Sequence, residues 1–212
     1  MNQKLLKNIE FTALDIETSG LNPNENEILE IAAIRFDQNK ILNTYNVLVK
    51  PIKPLNLTAQ SVNGITAKML ENARGLDTIL PEFLKFIEDS ALVIQNSEFD
   101  LSFILLESRK RGIRFPTLPV FCTLNLTRKI FPTLAKYNLV ALRNQFKIEK
   151  MNSQSDRHSF HEALDDSFAA MKVFIHCMDK MNYWAETVEK ANYHAKGFKY
   201  TIDYQDQESL FG

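Results

Sequence analysis

The sequence predicts a three-layer α/β domain in which helices flank a mixed β-sheet. Two patterns lead to this prediction: strand-like segments follow one another in the first half, and short strands alternate with helices in the second half. The composition fits a folded domain, because 45% of the 212 residues are hydrophobic and 24% are charged. At about 150 residues per domain, this length corresponds to one domain with an appendage.

Three strands are predicted in the first half. Residues 9–16 have the apolar composition of a strand and lead into a Thr-Ser-Gly turn signal at 18–20. Residues 28–36 form a second apolar run, and residues 41–49 form a third that stops before Pro51. Because the three strands are consecutive and the links are short, we expect an antiparallel meander.

The second half alternates short strands with helices. Ser159 and Glu162 have the spacing of a capping box, which predicts that a long helix begins near residue 160. Residues 196–212 show little helical pattern, so we expect one domain over 1–195 followed by a C-terminal tail. In chain order, the pattern predicts a helix at 78–89 with Thr78 as its N-cap, a strand at 91–94, a helix at 98–111 closed by Gly112, a strand at 120–123, and helices at 124–131, 138–146, 160–181 and 183–195.

Charge and cysteine usage narrow the class of protein. The net charge of −1 excludes a basic coat protein for nucleic acid, so any such binding must use a local site or bridging metal ions. The two cysteines lie far apart in sequence, which indicates a reduced, cytoplasmic protein rather than a disulfide framework. No apolar run approaches the roughly 20 residues that span a bilayer, so no membrane association is expected.

Acidic residues stand at the ends of three predicted elements. Asp15 and Glu17 close the first strand and, at positions i and i+2, project from the same face. Asp100 lies near the start of the helix at 98–111, and His161 and Asp166 lie near the start of the long helix. Each has an ordinary interpretation when taken alone, as turn residues, as an acid favoured by the helix dipole or as a surface histidine.

Taken together, these residues predict a metal-dependent phosphodiester site. Carboxylate oxygens without a Cys or His cluster suit Mg²⁺ or Mn²⁺ better than Zn²⁺. Two such ions, about 3.5–4 Å apart, can clamp the attacking and leaving oxygens of a phosphodiester. A histidine that titrates near neutral pH can take the proton of the attacking water.

Several ordered motifs across residues 8–180 resemble the DEDDh 3′–5′ exonuclease superfamily, and in particular the proofreading epsilon subunit of bacterial DNA polymerase III. The resemblance implies an RNase H-like fold and a two-metal mechanism that releases nucleoside 5′-monophosphates. The motifs are Phe11-Thr-Ala-Leu-Asp-Ile-Glu-Thr-Ser-Gly-Leu21, Glu30-Ile-Ala-Ala33, Val62-Asn-Gly-Ile-Thr66, Val93-Ile-Gln-Asn-Ser-Glu-Phe-Asp100 and His161-Glu-Ala-Leu-Asp-Asp166, with weaker matches at Cys122-Thr-Leu124, Pro132 and Tyr137-Asn-Leu139.

The resemblance also implies roles for individual residues. It makes His161 the general base, with His158 as a lower-ranked alternative, and it leaves Asp165 as the alternative to Asp166 for the last metal ligand. The implied metal ligands are Asp15, Glu17, Asp100 and Asp166, which would hold two Mg²⁺ or Mn²⁺ ions, and the implied contacts to the terminal nucleotide are Thr18, Asn63 and Asn96.

Two positions depart from the superfamily pattern. Gln95 and Asn63 each stand where the superfamily commonly has a histidine, and the histidine at the second of these positions contacts substrate. Both positions lie outside the five catalytic residues, so the departures concern the grip on the terminal nucleotide rather than activity.

The C-terminal tail carries a separate motif. Gln207-Glu-Ser-Leu-Phe211 resembles the pentapeptide that binds the bacterial sliding clamp, with Gln207 as the polar contact and Leu210 and Phe211 as apolar anchors. The alternative is a tail that packs back on its own domain. A clamp-binding tail would raise the concentration of the nuclease at primer ends.

Three functions follow from these observations. The first is a 3′–5′ exonuclease that acts on single-stranded or frayed 3′ DNA ends in proofreading or repair, with a DNA polymerase catalytic subunit as a further partner. The second keeps the chemistry but acts on RNA, as RNase T and oligoribonuclease do. The third is a non-catalytic adaptor for the clamp or the polymerase, although all five catalytic positions are filled.

Overall fold

A six-stranded mixed sheet in the order β4-β3-β2-β1-β5-β6 runs through the centre of the computed structural model, which describes residues 1–55, 57–151 and 162–194. β1, β2 and β3 form an antiparallel meander, and β5 and β6 extend it with parallel pairing on the other side of β1. The strands are Phe11–Thr18 (β1), Ile28–Phe36 (β2), Ile41–Lys50 (β3), Arg74–Gly75 (β4), Ala91–Ile94 (β5) and Val120–Cys122 (β6).

Helices cover both faces of this sheet, so the predicted three-layer α/β architecture is confirmed. A 3-10 turn at Leu6–Asn8 precedes β1. Within the described residues, no helix is both long and apolar enough to cross a membrane. The helices are Leu57–Asn63 (α1), Ala67–Leu70 (α2), Leu76–Ile87 (α3), Ser97–Lys110 (α4), Thr123–Ile130 (α5), Leu139–Phe146 (α6), Ala163–Met181 (α7) and Val188–His194 (α8).

The alternation of side chains along β1 divides the core between the two faces. Leu14 and Ile16 pack against α3 and α4, whereas Phe11 and Ala13 pack on the opposite face against α7 and its neighbours. By the same alternation, Asp15 and Glu17 lie on the α7 face. β1 is therefore a central strand whose two faces contact the two helical layers.

Three predicted helix starts are wrong, and each has a local cause. α3 begins at Leu76 with Gly75 rather than Thr78 as its N-cap, because the buried apolar face already starts at Leu76. α7 begins at Ala163, and Glu162 is its extended N-cap, so Glu162 does not occupy the third helical position that a capping box requires.

The last helix begins five residues later than the predicted start at 183, because its lead-in is bonded to the N-terminal segment. The Leu6 amide donates to the Glu186 carbonyl, and the Lys7 amide donates to the Trp184 carbonyl. The sequence analysis also missed α1, α2 and β4, which are too short to show a periodic apolar pattern.

Candidate metal centre

Packing of α7 against the sheet brings two of the predicted acidic segments together. Ser167 on α7 donates its hydroxyl to the Ala32 carbonyl of β2 at 3.1 Å. Ala32 is the β2 partner of Asp15 and is fully buried, so a small side chain lets the first turn of α7 approach the strands closely. As a result, Asp166 lies beside the acidic end of β1.

Three carboxylates meet at this point. Oxygen atoms of Asp15, Glu17 and Asp166 all lie within 4.8 Å of one another. The donor set is oxygen only, which suits a hard divalent cation such as Mg²⁺ or Mn²⁺. The structure thus brings together three of the four predicted metal ligands, and their chemistry fits the predicted metal.

The fourth predicted ligand, Asp100, reaches the same strand from the other face of the sheet. It lies in the first turn of α4 and is 2% exposed. Its Oδ1 atom accepts a hydrogen bond of 3.1 Å from the amide of Ile16, the residue between Asp15 and Glu17 in β1. This bond holds the carboxylate against β1. Asp100 is outside the 4.8 Å group but is close enough to raise the pKa of Asp15.

The tight turn before α4 makes this placement of Asp100 possible. Asn96 is the N-cap of α4 and has a left-handed backbone conformation, with φ of 56°. Asparagine tolerates that conformation better than most residues do. Its exposed side chain makes no capping hydrogen bond to the helix, so the amide is presented to solvent at the end of β5.

The electrostatics of the site favour cation binding. Burial raises the pKa of Asp15 well above its ordinary value, and it is raised further, in decreasing order, by the charges of Asp100, Asp166, Glu17 and Glu30. Burial also raises the pKa of Asp100 from 3.8 to about 8, against two backbone hydrogen bonds that lower it and with a further increase from Asp166. A divalent cation would relieve this repulsion and favour the ionised carboxylates.

Sequence analysis did not single out Glu30 as a functional residue. It is 2% exposed and pairs across the antiparallel register with Glu17, so two acidic side chains stand opposite each other. Its Oε2 atom accepts a hydrogen bond of 3.4 Å from the amide of Ala163, the first residue of α7. The signal available in the sequence was an acidic residue inside a largely apolar strand.

The alternative ligand, Asp165, is engaged elsewhere. It is 3% exposed, its Oδ1 atom accepts a hydrogen bond of 2.7 Å from the Met151 amide, and its Oδ2 atom lies 2.6 Å from Nη2 of Arg143. The structure therefore favours Asp166 as the ligand, because both carboxylate oxygens of Asp165 already have partners in the protein.

Two of the predicted substrate contacts, Thr18 and Asn63, are linked by a hydrogen bond. The Asn63 amide donates to the Thr18 carbonyl at 3.3 Å and accepts from the Ile65 amide at 3.1 Å, and the side chain is 1% exposed. Thr18 donates its hydroxyl to the Gly20 carbonyl at 2.7 Å. Direct contact of either residue with a nucleotide stays a prediction, but Asn63 clearly fixes the end of β1.

Gln95 links three elements behind the site. Its side-chain NH₂ donates to the Tyr137 carbonyl at 2.9 Å, and its carbonyl oxygen accepts from the Thr123 hydroxyl at the start of α5. This glutamine therefore ties the end of β5 to α5 and to the segment that precedes α6. Gln95, one of the two residues that depart from the superfamily pattern, thus has a structural role within this chain.

Five candidate functional residues from the sequence analysis lie outside the described part of the chain. They are His161, its alternative His158, and the tail residues Gln207, Leu210 and Phe211. The predictions made for them are unchanged. The described residues closest to His161 in sequence, Glu162 and Ala163, lead directly into the turn that carries Asp166.

Comparison with known proteins places this sequence in a family. The sequence model of the RNase T family, described as an exonuclease family, covers residues 12–174 and therefore all three acidic segments. The chain belongs to this exonuclease family. The resemblance to the DEDDh exonucleases that the motifs predicted is confirmed, and the residues present include the acidic candidate metal site.

The curated relatives include replicative polymerase components. The chain is 36% identical over 172 residues to the "DNA polymerase III PolC-type" of Thermotoga maritima, which covers 81% of this chain and 12% of that protein. It is 31% identical over 172 residues to the "DNA polymerase III subunit epsilon" of Aquifex aeolicus, which covers 81% of each. The chain thus spans about one-eighth of the length of its PolC-type relatives.

Solved exonucleases share the fold. The structure of exonuclease X in complex with 5′ overhanging duplex DNA has a TM-score of 0.67 and 25% identity, and it covers 85% of this chain and 98% of that one. Exonuclease I of E. coli in complex with a dA16 oligonucleotide has a TM-score of 0.73 and 15% identity, and it covers 87% of this chain and 43% of that one. This second likeness supports the fold alone.

The repulsion within the site predicts a stability that depends on pH. Because the folded-state pKa of Asp100 is about 8 and its ordinary value is 3.8, the metal-free fold prefers the protonated acid. This stabilisation is complete at low pH, falls as the pH rises from about 4 to about 8, and does not change above that. In EDTA, thermal unfolding should therefore occur at lower temperature at pH 8 than at pH 5.

An Asp100→Asn variant should flatten this pH dependence and raise the unfolding temperature at pH 8 by several degrees, at about 2–4 °C per kcal/mol. Glu98→Gln is the matched control, because Glu98 is an exposed acid in the same helical turn. Added Mn²⁺ should raise the unfolding temperature of the wild type at pH 8 but not that of Asp100→Asn to the same extent. Equal pH profiles for the wild type and Asp100→Asn would contradict this account.

Proposed function

We propose that the protein is a metal-dependent 3′–5′ exonuclease that removes nucleotides from single-stranded or frayed 3′ DNA ends. The observation that carries this proposal is the convergence of Asp15, Glu17 and Asp166 within 4.8 Å, with Asp100 held beside them at the end of β1. Its relatives named as DNA polymerase III epsilon and PolC-type proteins favour DNA and a role in proofreading or repair.

The chemistry follows from the residues at the site. Water attacks the terminal phosphorus as the bond to the 3′ oxygen breaks, which releases a nucleoside 5′-monophosphate and leaves a chain one nucleotide shorter. When bound by the four carboxylates, two Mg²⁺ or Mn²⁺ ions would activate the water and offset the charge on the leaving oxygen. His161 takes the proton of the water, and Asn96, whose amide faces solvent, contacts the terminal nucleotide together with Thr18.

Asn63 has a different part in this proposal. Because its amide atoms are bonded to Thr18 and Ile65, it acts on the terminal nucleotide by holding the end of β1 in place. A neutral amide makes these two hydrogen bonds over the whole pH range, since it does not titrate. Because Asn63 stands where the superfamily commonly has a histidine, binding of the terminal nucleotide does not depend on protonation at this position.

Digestion of 5′-labelled DNA tests the proposed activity. We expect a ladder that shortens from the 3′ end with Mg²⁺ or Mn²⁺ and disappears with EDTA. Asp15→Asn should lower the rate of DNA digestion by more than about 10–100-fold, the loss that is typical when a group that only orients a metal ligand is removed. The reason is that Asp15 is itself one of the three clustered carboxylates. Glu98→Gln should digest DNA as the wild type does.

A matched RNA oligomer separates this function from the alternatives. Digestion of RNA in preference to DNA would indicate an exoribonuclease, since the 2′-hydroxyl is the handle by which a protein distinguishes the two. If wild-type protein that binds Mn²⁺ left both substrates intact, the adaptor function would replace the exonuclease.

His161 and His158 give a second test, which concerns the base. His161→Gln should lower kcat by about 10²–10⁴-fold, the usual contribution of a general base, with little change in KM. It should also remove the acidic limb of the pH–rate profile. His158→Gln is the control, and a loss confined to that variant would transfer the role of base to His158.

We further propose that residues 207–211 bind the bacterial sliding clamp and thereby place the exonuclease beside a polymerase catalytic subunit at primer ends. Two apolar anchors, Leu210 and Phe211, follow the polar Gln207 at the spacing of the clamp-binding pentapeptide. The kinship with polymerase III proteins supports this partner.

Clamp binding predicts that retention of the full chain on immobilised clamp disappears when Leu210 and Phe211 are both replaced by alanine. The matched control replaces Ile202 and Tyr204 by alanine, which removes comparable apolar surface from the same tail outside the motif. Exonuclease activity on short DNA should be unchanged in both variants. Equal retention of the two double variants would overturn the assignment of the motif.

A further inference from the structure

A largely buried ion pair joins α6 to α7 and lies beside the carboxylate of Asp166. Nη2 of Arg143 lies 2.6 Å from Oδ2 of Asp165 and donates to the Asp165 carbonyl at 2.6 Å. The same nitrogen is 3.9 Å from Oδ1 of Asp166. One guanidinium thus contacts the side chain and the backbone of Asp165 and approaches the adjacent candidate ligand.

The other oxygen of Asp165 is also used by the chain. It accepts the 2.7 Å hydrogen bond from the Met151 amide, so both carboxylate oxygens of Asp165 have partners in the protein. Successive residues of a helix point about 100° apart, which lets Asp165 face α6 while Asp166 faces Asp15 and Glu17. The two neighbouring aspartates therefore do different things.

The contacts hold the first turn of α7 at two independent points. On one side, Arg143 and Met151 bind Asp165. On the other side, Glu30 accepts a hydrogen bond from the amide of Ala163. A ligand that must meet two others within 4.8 Å needs such support, because a displacement of about 1 Å at a reacting centre can cost about 100-fold in rate.

We propose that Arg143 and Asp165 are positioning residues for the metal centre. Their ion pair fixes the first turn of α7 so that Asp166 is presented to Asp15 and Glu17, and the charge of Arg143 partly offsets the repulsion on Asp166 before a cation binds. Neither residue binds the metal. This inference rests on the proposed function, because it assumes that the carboxylates hold divalent cations.

The test measures Mn²⁺ affinity by isothermal titration calorimetry, together with kcat, KM and the unfolding temperature in EDTA. The variants are Arg143→Gln, Asp165→Asn and the double variant that combines them. We expect each single variant to weaken Mn²⁺ binding by about 10–100-fold, as loss of groups that orient metal ligands usually does, and to lower kcat more than it raises KM. The double variant should bind Mn²⁺ no more weakly than the single variant with the lower affinity, because both residues act through one ion pair.

Arg111→Gln provides the matched control. Arg111 is a largely buried arginine that binds Glu107 and Asp77 at the opposite end of α4 from Asp100. Its loss should lower the unfolding temperature while Mn²⁺ affinity stays unchanged. Arg143→Lys keeps the charge but lacks the planar fork, so it should restore part of the affinity that Arg143→Gln loses. The lysine variant also provides a folded protein if the glutamine variant does not fold.

Three results would overturn the proposal in distinguishable ways. If Arg143→Gln bound Mn²⁺ as tightly as Arg111→Gln, or if Asp165→Asn did so where Arg143→Gln does not fold, the ion pair would have only a structural role. If Asp165→Asn abolished binding while the Arg143 variants kept it, Asp165 would itself be a metal ligand. If the wild-type protein bound no Mn²⁺ at all, the proposed function would fail and this inference would fail with it.

Discussion

Mutual repulsion among buried carboxylates is the constraint on which this structure turns. The fold holds several acids around the end of one strand, where the charges of four of them raise the pKa of the fifth, Asp15. Isolated negative charges at this depth are unfavourable unless a cation or hydrogen-bond donors accompany them. The sheet and the helices packed on it hold these carboxylates together despite the unfavourable free energy of their proximity. The acids are Asp15, Glu17, Glu30, Asp100 and Asp166.

Backbone amides and one arginine provide part of the compensation. The Ile16 amide donates to Asp100, and the Ala163 amide donates to Glu30. Each of these amides belongs to an element, β1 or α7, that itself carries acids of the site. Arg143 is 3.9 Å from Asp166. These contacts are modest beside the effect that a divalent cation would have at this site.

The sheet topology determines which acids can meet. β1 pairs with the antiparallel β2 on one side and with the parallel β5 on the other, so chain segments from both halves of the sequence reach its end. α4 and α7 lie on opposite faces of the sheet, and each places its first turn at that end. The result is a site built from segments that are far apart in sequence, as the bond between Ile16 and Asp100, which are 84 residues apart, illustrates.

Much of this arrangement could be predicted from the sequence, because strand alternation alone places Asp15 and Glu17 on one face. The convergence of Asp100 and Asp166 could not follow from spacing, since it depends on how α4 and α7 pack, and it came from resemblance to a family. The choice between Asp165 and Asp166 needed the structure, because only packing shows that Arg143 and Met151 occupy Asp165. Glu30 was missed because a single acid in an apolar strand carries no periodic signal.

The central claim is that the carboxylates at the end of β1 hold divalent cations, and anomalous X-ray scattering from crystals soaked in Mn²⁺ tests it most directly. We expect a peak within bonding distance of carboxylate oxygens of Asp15 and Asp166, with Asp165 still bonded to Arg143. A crystal with no anomalous peak at this site, or with the peak on Asp165 and Arg143 displaced, would contradict it.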